Sequence, residues 1–569
     1  MRRIRYLLFT ATCLCLLGGF GTEYPKGYFQ HPVATTLRLS GTFGELRPNH
    51  FHAGIDIKGA IGTPIYAAAG GFISKIVVSP DSYGNHLYIQ HPNGYTTLYA
   101  HLESFSTAVR QYILGLQRDA ETFELTARPY PGQFEVNKGD LIGFMGNSGH
   151  SFGPHLHFEI RETATNKPHN PLLFGYKVAD AIPPRLHEIK VYEMDGQFNT
   201  VASRVLPLVF KNGRYQLTSD TIEVNTPQFG LAIKAYDHMD GVSNWNGIYG
   251  LDLFDGDEVI YGFRMDAIGQ DESRFLNAHI DYPEQRNRGS YFHRCFKLPG
   301  NFLSIYTPEK SGRLLLDPGA VKRLEFSVRD IAGNTSRAVL YIRRGGAERY
   351  AVPSNMPYQF FWPCDRSHQI EDFRLYVHIP EGVLYENAFI RHEAKPSVAG
   401  QFSYLHSFQP DDIPLHRTFS LGLRAEGVPL NLRAKAFVAQ VSKGSITNWG
   451  GQWQDDGMLV APVRSFGQFC IMLDTVPPKI QFERFSPDMR RYSTMSFKIS
   501  DNISPSVNLP NLRFKAFIDG KWVMFVYDEK NRRIQYAFDE TLGKGTHQLR
   551  LEVMDAMGNI AVLERNFQR

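Results

Sequence analysis

A signature that occurs twice constrains this chain more than any other feature. Asp180-Ala181-Ile182-Pro183-Pro184 is matched by Asp474-Thr475-Val476-Pro477-Pro478. Each opening is followed downstream by a run that ends in a turn, Val328-Arg329-Asp330-Ile331-Ala332-Gly333-Asn334 and Val553-Met554-Asp555-Ala556-Met557-Gly558-Asn559. A Pro-Pro pair stiffens a linker and withholds backbone donors from the element before it, whereas Gly-Asn tolerates the positive φ of a tight hairpin. Ahead of the turns the sequence alternates, as in Arg323-Leu324-Glu325-Phe326-Ser327-Val328 and Gln548-Leu549-Arg550-Leu551-Glu552-Val553. A period of two is that of a half-buried antiparallel strand. The simplest reading is two related β-sandwich domains, 180–345 and 474–569. Asp330 follows Asp180 by 150 residues but Asp555 follows Asp474 by only 81, so the first copy is expected to carry an insertion around Asp237–Pro299. A further strand-rich stretch, 346–473, lies between them.

The chain has 569 residues, 43% hydrophobic and 13% aromatic. That is material for about four domains with real cores, and it excludes a disordered protein. The 50 Gly and 33 Pro favour a mainly β fold with many turns. Lys and Arg (61) nearly balance Asp and Glu (57), with no long basic stripe, so nucleic acid is not an expected partner. The repeated C-terminal pattern resembles the immunoglobulin-like modules of exported bacterial proteins, which implies architecture and not activity.

At the N-terminus Arg2, Arg3 and Arg5 precede the apolar run Tyr6–Leu17, and Gly18, Gly19 and Gly21 follow it. Residues 1–22 therefore read as an export signal, too short to span a bilayer comfortably. The residues before Cys13 and Cys15 fit a lipid-attachment box poorly, which disfavours lipid anchoring, and no later segment is apolar enough to cross a membrane. The mature protein is expected to be exported, to the periplasm or cell envelope. The remaining cysteines, Cys295, Cys364 and Cys470, show no CxxC spacing and are read as inert thiols rather than a metal site or a disulfide framework.

Residues 25–178 differ in kind, because histidines and glycines cluster there at tight spacings. Three segments stand out: Arg47-Pro48-Asn49-His50-Phe51-His52-Ala53-Gly54-Ile55-Asp56, Leu98-Tyr99-Ala100-His101-Leu102, and Gly153-Pro154-His155-Leu156-His157-Phe158-Glu159-Ile160. In the last, Leu156, Phe158 and Ile160 alternate with His155, His157 and Glu159, so both imidazoles project from one face of a strand. One ring can ligate an ion while the other reaches its bound water. Asp56, four residues after His52, can add a carboxylate oxygen. Two neutral imidazoles and one carboxylate form a catalytic zinc set with a position left for water, and nitrogen donors argue against Ca²⁺ or Mg²⁺.

These blocks resemble the lysostaphin/LytM-type zinc metallopeptidases, which cut peptide cross-links in bacterial cell-wall peptidoglycan. The likeness covers about residues 35–172. It runs through His52-Ala53-Gly54-Ile55-Asp56, Gly62-Thr63-Pro64-Ile65-Tyr66-Ala67-Ala68, Tyr83-Gly84-Asn85, Tyr99-Ala100-His101-Leu102, and Gly146-Asn147-Ser148-Gly149 leading into Gly153–Glu159. The resemblance implies an open, mostly antiparallel β-fold with the metal in a groove. It implies one Zn²⁺ per chain held by His52, Asp56 and His157, with His101 and His155 as the catalytic pair, undivided between base and acid. The substrate it implies is peptidoglycan stem or cross-link peptides, and the β-sandwich domains are candidates for contact with an envelope partner. The alternative is a non-catalytic peptidoglycan-binding or hydrolase-activating envelope protein. Zinc proteolysis of a glycine-rich protein is a third reading.

One departure from the family pattern is an insertion at about 103–133, since His155 follows His101 by 54 residues. Ala108, Ile113, Leu114 and Leu116 suit a short amphipathic helix, which is expected either to narrow the groove or to decorate the surface. His86 and His91 fall on opposite faces of one strand and are read as structural. His50 is a weaker groove candidate than His52. Asp237 and Asp240, with Asn244 and Asn246, lack the closing Glu of a calcium loop and are read as a solvated loop.

Overall fold

The computed structural model describes residues 24–218, 221–307, 310–345, 358–539 and 542–569. The export segment expected at 1–22, with Cys13 and Cys15, lies outside the described residues. The fold is mainly β, as the alternation predicts.

The N-terminal domain is built on an open antiparallel sheet. Its strands β1 (Leu39–Gly41), β2 (Ile55–Lys58), β3 (Gly71–Val78), β4 (His86–Gln90), β5 (Tyr95–Ala100) and β6 (His155–Glu162) lie in the spatial order β1-β2-β6-β5-β4-β3. The last strand in sequence thus sits between β2 and β5. Leu156, Phe158 and Ile160 turn inward and are fully buried with Ile55, Ile57 and Tyr99, which commits the alternate residues of β6 to the other face. Gly54 lets β2 and β6 meet, because a Cβ there would fall 2.3 Å from Phe158 O.

Between β5 and β6 lies the insertion. Helix α1 (Thr107–Ala120) buries Val109, Ile113 and Gln117, spaced four apart, as an amphipathic helix should. Ala108 is exposed. Beyond the helix, Phe123 packs against the N-terminal core and against the core of the last domain at once. Gln117 braces it by donating to Phe123 O at 2.6 Å, and Glu121 pairs with Lys515 at 3.8 Å. The insertion is a seat for the C-terminal domain.

In the first sandwich, β7 (Arg185–Met194) pairs with β8 (Gln228–Tyr236), and β9 (Gly250–Asp255), β10 (Val321–Arg329) and β11 (Thr335–Arg344) pair in that order, the strands of 200–217 joining the two sets into one 11-stranded sheet. The last domain repeats this connectivity. Strand β12 (Lys479–Arg484) pairs with β13 (Thr494–Ser500), and β14 (Arg513–Ile518), β15 (Thr546–Met554) and β16 (Ile560–Gln568) pair in order. Strand β9 therefore belongs to the shared frame although it lies inside the stretch expected to be an insertion. The extra residues of the first copy fall between β7 and β8, where they include the hairpin 200–217, and between β9 and β10, where they include the helical stretch 273–288. Between the two copies, residues 358–473 form two sheets packed around Trp362, Phe408, Phe419 and Leu459.

Packing does not respect the chain boundary near residue 180. Phe43 and Phe51 of the N-terminal domain sit in the first sandwich's core, and Met239 of the sandwich sits in the N-terminal core. Cys295 and Cys470 are buried and Cys364 half-buried, all as free thiols.

Candidate active site

Strand register assembles the site. It places His157 opposite Asp56 across β6–β2 and opposite Ala100 across β6–β5. His155, His157, Glu159 and Arg161 alternate with the inward apolar residues and share the outer face. His52 precedes β2 and is pinned by its N–H donating to Glu45 O at 2.9 Å and its carbonyl accepting from Gly44 N at 2.8 Å. His101 directly follows β5 with φ 60, an uncommon value for a residue with a Cβ, and its N–H donates to Tyr83 O at 3.0 Å. Gly84 and Gly149 meet back to back: a Cβ on Gly149 would lie 2.4 Å from Gly84 N. That close approach brings Ser148 O within 2.8 Å of His101 Nδ1.

Three atoms converge on one focus. His52 Nε2 lies 3.0 Å from Asp56 Oδ1, His157 Nδ1 lies 2.9 Å from the same oxygen, and the two nitrogens are 2.9 Å apart. The far side of each ring is committed. His52 Nδ1 is 2.8 Å from Thr42 O, and His157 Nε2 is 2.8 Å from Glu159 Oε1. A ring nitrogen facing such an acceptor carries the proton, so in the neutral rings both facing nitrogens present lone pairs to each other and to a carboxylate. All three residues are buried. Three lone pairs aimed at one point form a cradle for a cation, and bonds of about 2.0–2.1 Å to a tetrahedral zinc would space them only slightly wider.

Electrostatics divide the set: the burial of His157 is outweighed by Asp56 and Glu159, which raise its imidazole above the ordinary value. Burial, reinforced by the Arg47 guanidinium, pulls His52 down to about 4. The Asp56 carboxyl is held well below the usual range despite its burial, by the imidazoles of His52, His155 and His157 that face it. Arg47 Nη2 lies 2.5 Å from Asp56 Oδ2, which leaves Oδ1 for the focus. Glu159 is fully buried, accepting also from Tyr83 OH at 2.7 Å and Arg161 Nε at 2.5 Å. Its burial is outweighed chiefly by Arg161, and the carboxyl titrates at about 2.

His155 and His101 flank the focus. His155 Nδ1 is 2.8 Å from Gly153 O and 3.2 Å from Ser151 Oγ, and its Nε2 is 3.4 Å from Asp56 Oδ1. Its ring centroid lies 4.7 Å from that of His101, and burial and the neighbouring imidazoles depress His101 to about 3. Both line a groove of about 650 Å³ with Arg47, Asp56 and Asn244. Lys530 of the last domain reaches the rim, donating to Asn147 O at 2.8 Å and Ser151 O at 3.2 Å.

All five residues singled out from the sequence meet here. His86 and His91 lie elsewhere, hydrogen-bonded to Gly84 O and to Gly70 O and Thr97 Oγ1, and His50 is exposed with its ring on Pro48 O. Arg47, Tyr83, Glu159 and Arg161 carry roles that motif reading does not assign, although Glu159 and Arg161 continue the parity of His155 and His157. Of the loop read as solvated, Asp240 is exposed and Asn244 half-buried, but the reading is corrected at its two ends, since Asp237 and Asn246 are each only 1% exposed.

A groove in an open antiparallel sheet, with two imidazoles and a carboxylate at one focus and two imidazoles beside it, is the layout of a metallopeptidase domain. Residues 50–115 and 130–171 match peptidase family M23, and the N-terminal domain is an M23 peptidase domain. The gap in that match falls on the end of α1 and the segment that seats the last domain. Residues 359–474 match the Zu5-like domain. The chain is 36% identical over 163 residues to the DD-carboxypeptidase/endopeptidase Mpg of Neisseria meningitidis, covering 27% of this chain and 29% of that protein. It is 27% identical over 171 residues to the peptidoglycan DD-endopeptidase ShyA of Vibrio cholerae, covering 29% and 34%. The chain thus spans about a third or less of these relatives. Among solved structures, the catalytic domain of lysostaphin from Staphylococcus simulans aligns at 23% identity with a TM-score of 0.19, covering 24% of this chain and 91% of that one.

Proposed function

We propose that this chain is an exported zinc endopeptidase that hydrolyses peptide bonds in the stems or cross-links of bacterial peptidoglycan. The observation that carries the reading is the focus itself: His52 Nε2, Asp56 Oδ1 and His157 Nδ1 mutually 2.9–3.0 Å apart, with the other nitrogen of each ring committed to an acceptor. Those three atoms would hold the zinc. When bound, it would supply Lewis acidity to the scissile carbonyl and make a water acidic enough to lose its proton near neutral pH.

The remaining work falls to the chain's own groups. His155 and His101 each turn Nδ1 to a backbone carbonyl, Gly153 O and Ser148 O, so Nε2 is the nitrogen each offers to the groove. A neutral Nε2 accepts the water's proton. The same nitrogen, once protonated, steadies developing negative charge on the carbonyl oxygen or donates to the departing amine. Glu159 fixes the tautomer of His157, and Arg161 keeps Glu159 ionised so that it can do so. Export rests on the basic and apolar pattern of residues 1–22, and the wall substrate on the activities for which the relatives are named.

Purified protein incubated with cross-linked muropeptides should release uncrosslinked products by mass spectrometry. A zinc chelator and His157→Ala should each abolish release. Intact cross-links at full zinc occupancy would overturn the reading and favour the non-catalytic wall-binding alternative.

A further inference from the structure

The doubled signature carries more than a hinge. In the first sandwich Asp180 lies on the linker, Asp237 directly follows β8 and Asp330 directly follows β10. In the last domain Asp474, Asp501 and Asp555 hold the same three places, on the linker and after β13 and β15. Each trio brings one carboxylate oxygen per residue within 4.8 Å of the others. The hydrogen bonding repeats with them. Asp330 Oδ1 accepts from Gly333 N and Asn334 N, and Asp555 Oδ1 accepts from Met557 N and Asn559 N. Asn334 Nδ2 donates to Asp180 O at 3.2 Å, and Asn559 Nδ2 donates to Asp474 O at 3.1 Å.

What these bonds leave over points to a ligand. Asp237 is 1% exposed and its Oδ1 has no hydrogen-bond partner; on the half-buried Asp180 and Asp501, the shielded Oδ2 and Oδ1 are unpartnered as well. Asn246 exchanges backbone hydrogen bonds with Asp237 at 2.9 and 3.0 Å, yet both atoms of its buried side-chain amide are also unpartnered. No ion pair to any of the six aspartates occurs among the described residues. Lys435 approaches the second trio, with its ammonium donating to Met557 O. An ionised carboxylate buried beside two others without compensation is costly. Burial and the neighbouring aspartates accordingly push Asp237 up to about 8.

We propose that the two aspartate trios are binding sites for a hard divalent cation, Ca²⁺, one at the junction of the peptidase domain with the first sandwich and one at the entrance to the last domain. Three carboxylates with no nitrogen or sulfur donor suit Ca²⁺ better than zinc, whose sites favour at least some nitrogen or sulfur, or Mg²⁺, which demands a near-ideal octahedron. The first site has a further consequence. Asp237 and Asn246 bracket a loop whose Met239 and Val242 pack in the peptidase core and whose Asn244 lines the groove. Just beyond it, Gly247 N donates to Thr42 Oγ1 at 3.2 Å, and Thr42 O faces His52 Nδ1. A cation there braces one wall of the groove.

Calcium titrated calorimetrically into metal-stripped full-length protein should fill two sites per chain, and saturating Ca²⁺ should raise the melting temperature by about 5 °C. Asp237→Asn and Asp501→Asn should each remove one site, and the double variant both. These near-isosteric changes relieve repulsion, so the cation-free variants should melt no lower than the cation-free parent, which separates lost binding from failed folding. Absence of Ca²⁺ binding, sites that survive both substitutions, or an equal shift from Mg²⁺ would overturn the proposal.

Discussion

The Glu159→Gln substitution tests how the focus is held, because it removes a charge while nearly preserving shape. Glu159 accepts from three donors, Tyr83 OH and His157 Nε2 on Oε1 and Arg161 Nε on Oε2. A glutamine must turn its NH₂ toward one side. Facing Arg161, it sets donor against donor beside a guanidinium whose residue is 1% exposed, which costs about 1–3 kcal/mol for the unsatisfied group. Facing His157, it drives the ring to the other tautomer and puts a proton on Nδ1, the atom aimed at His52 Nε2 and Asp56 Oδ1. Either way the donor set for zinc is weakened, and loss of such a supporting partner typically lowers affinity about 10–100-fold. Zinc affinity measured by competition with a chromophoric chelator, alongside urea denaturation, should show both effects. Tyr83→Phe is the control, since it removes one donor and leaves charge and tautomer intact, and its zinc affinity should stay within about twofold. If Glu159→Gln binds zinc as tightly as the parent, the committed-tautomer argument is wrong.

Other consequences can be measured independently. His155→Ala and His101→Ala should each lower turnover about 10²–10⁴-fold while zinc content, read by atomic emission, stays at one per chain; loss of zinc instead would make them ligands. Phe123→Ala should cost about 2 kcal/mol, half of a fully buried phenylalanine, and should make the last domain unfold as a separate early transition in denaturant. His279 and His293 are buried in the first sandwich, 2.8 Å apart, with burial holding His293 at about 3 and His279 well below its ordinary value. Their folded pKa values lie below the unfolded one, so their neutral forms favour the folded state fully above pH ~6.5. That advantage is lost as pH falls, by about 1.4 kcal/mol per unit for each histidine. The sandwich's melting temperature should therefore drop steeply between about pH 6.5 and 4.5, and His293→Gln should flatten the slope if it folds.

What the sequence discloses and what it hides divide along sequence distance. His155, His157, Glu159 and Arg161 sit on one strand, so parity alone puts them on one face; Asp56 joins because His52 and Gly54 bind it into a short motif. The same parity could not reveal that Glu159 is fully buried between a histidine and an arginine, since an alternating charged face is usually a solvated one. A search for calcium loops passes over the Asp237 cluster for a related reason. It looks for donors within one loop, whereas Asp180 and Asp330 arrive from positions 57 residues before and 93 after, brought together only when two strand ends and a linker meet. Phe123 was equally silent, because its second set of partners lies in a domain that begins some 350 residues later. Repetition offers a way through this limit. The trio Asp474, Asp501 and Asp555 reproduces the first one after a different middle and with a shorter frame, and chance burial would not leave an unpartnered carboxylate oxygen at the equivalent strand end of both copies. The Asp-x-x-Pro-Pro and Asp-x-x-Gly-Asn marks are thus legible as two of the three aspartates of each trio, the third being the residue that follows the strand paired with the first one after the linker. If neither trio takes up Ca²⁺, that rule of reading fails with them, and the marks revert to turn chemistry alone.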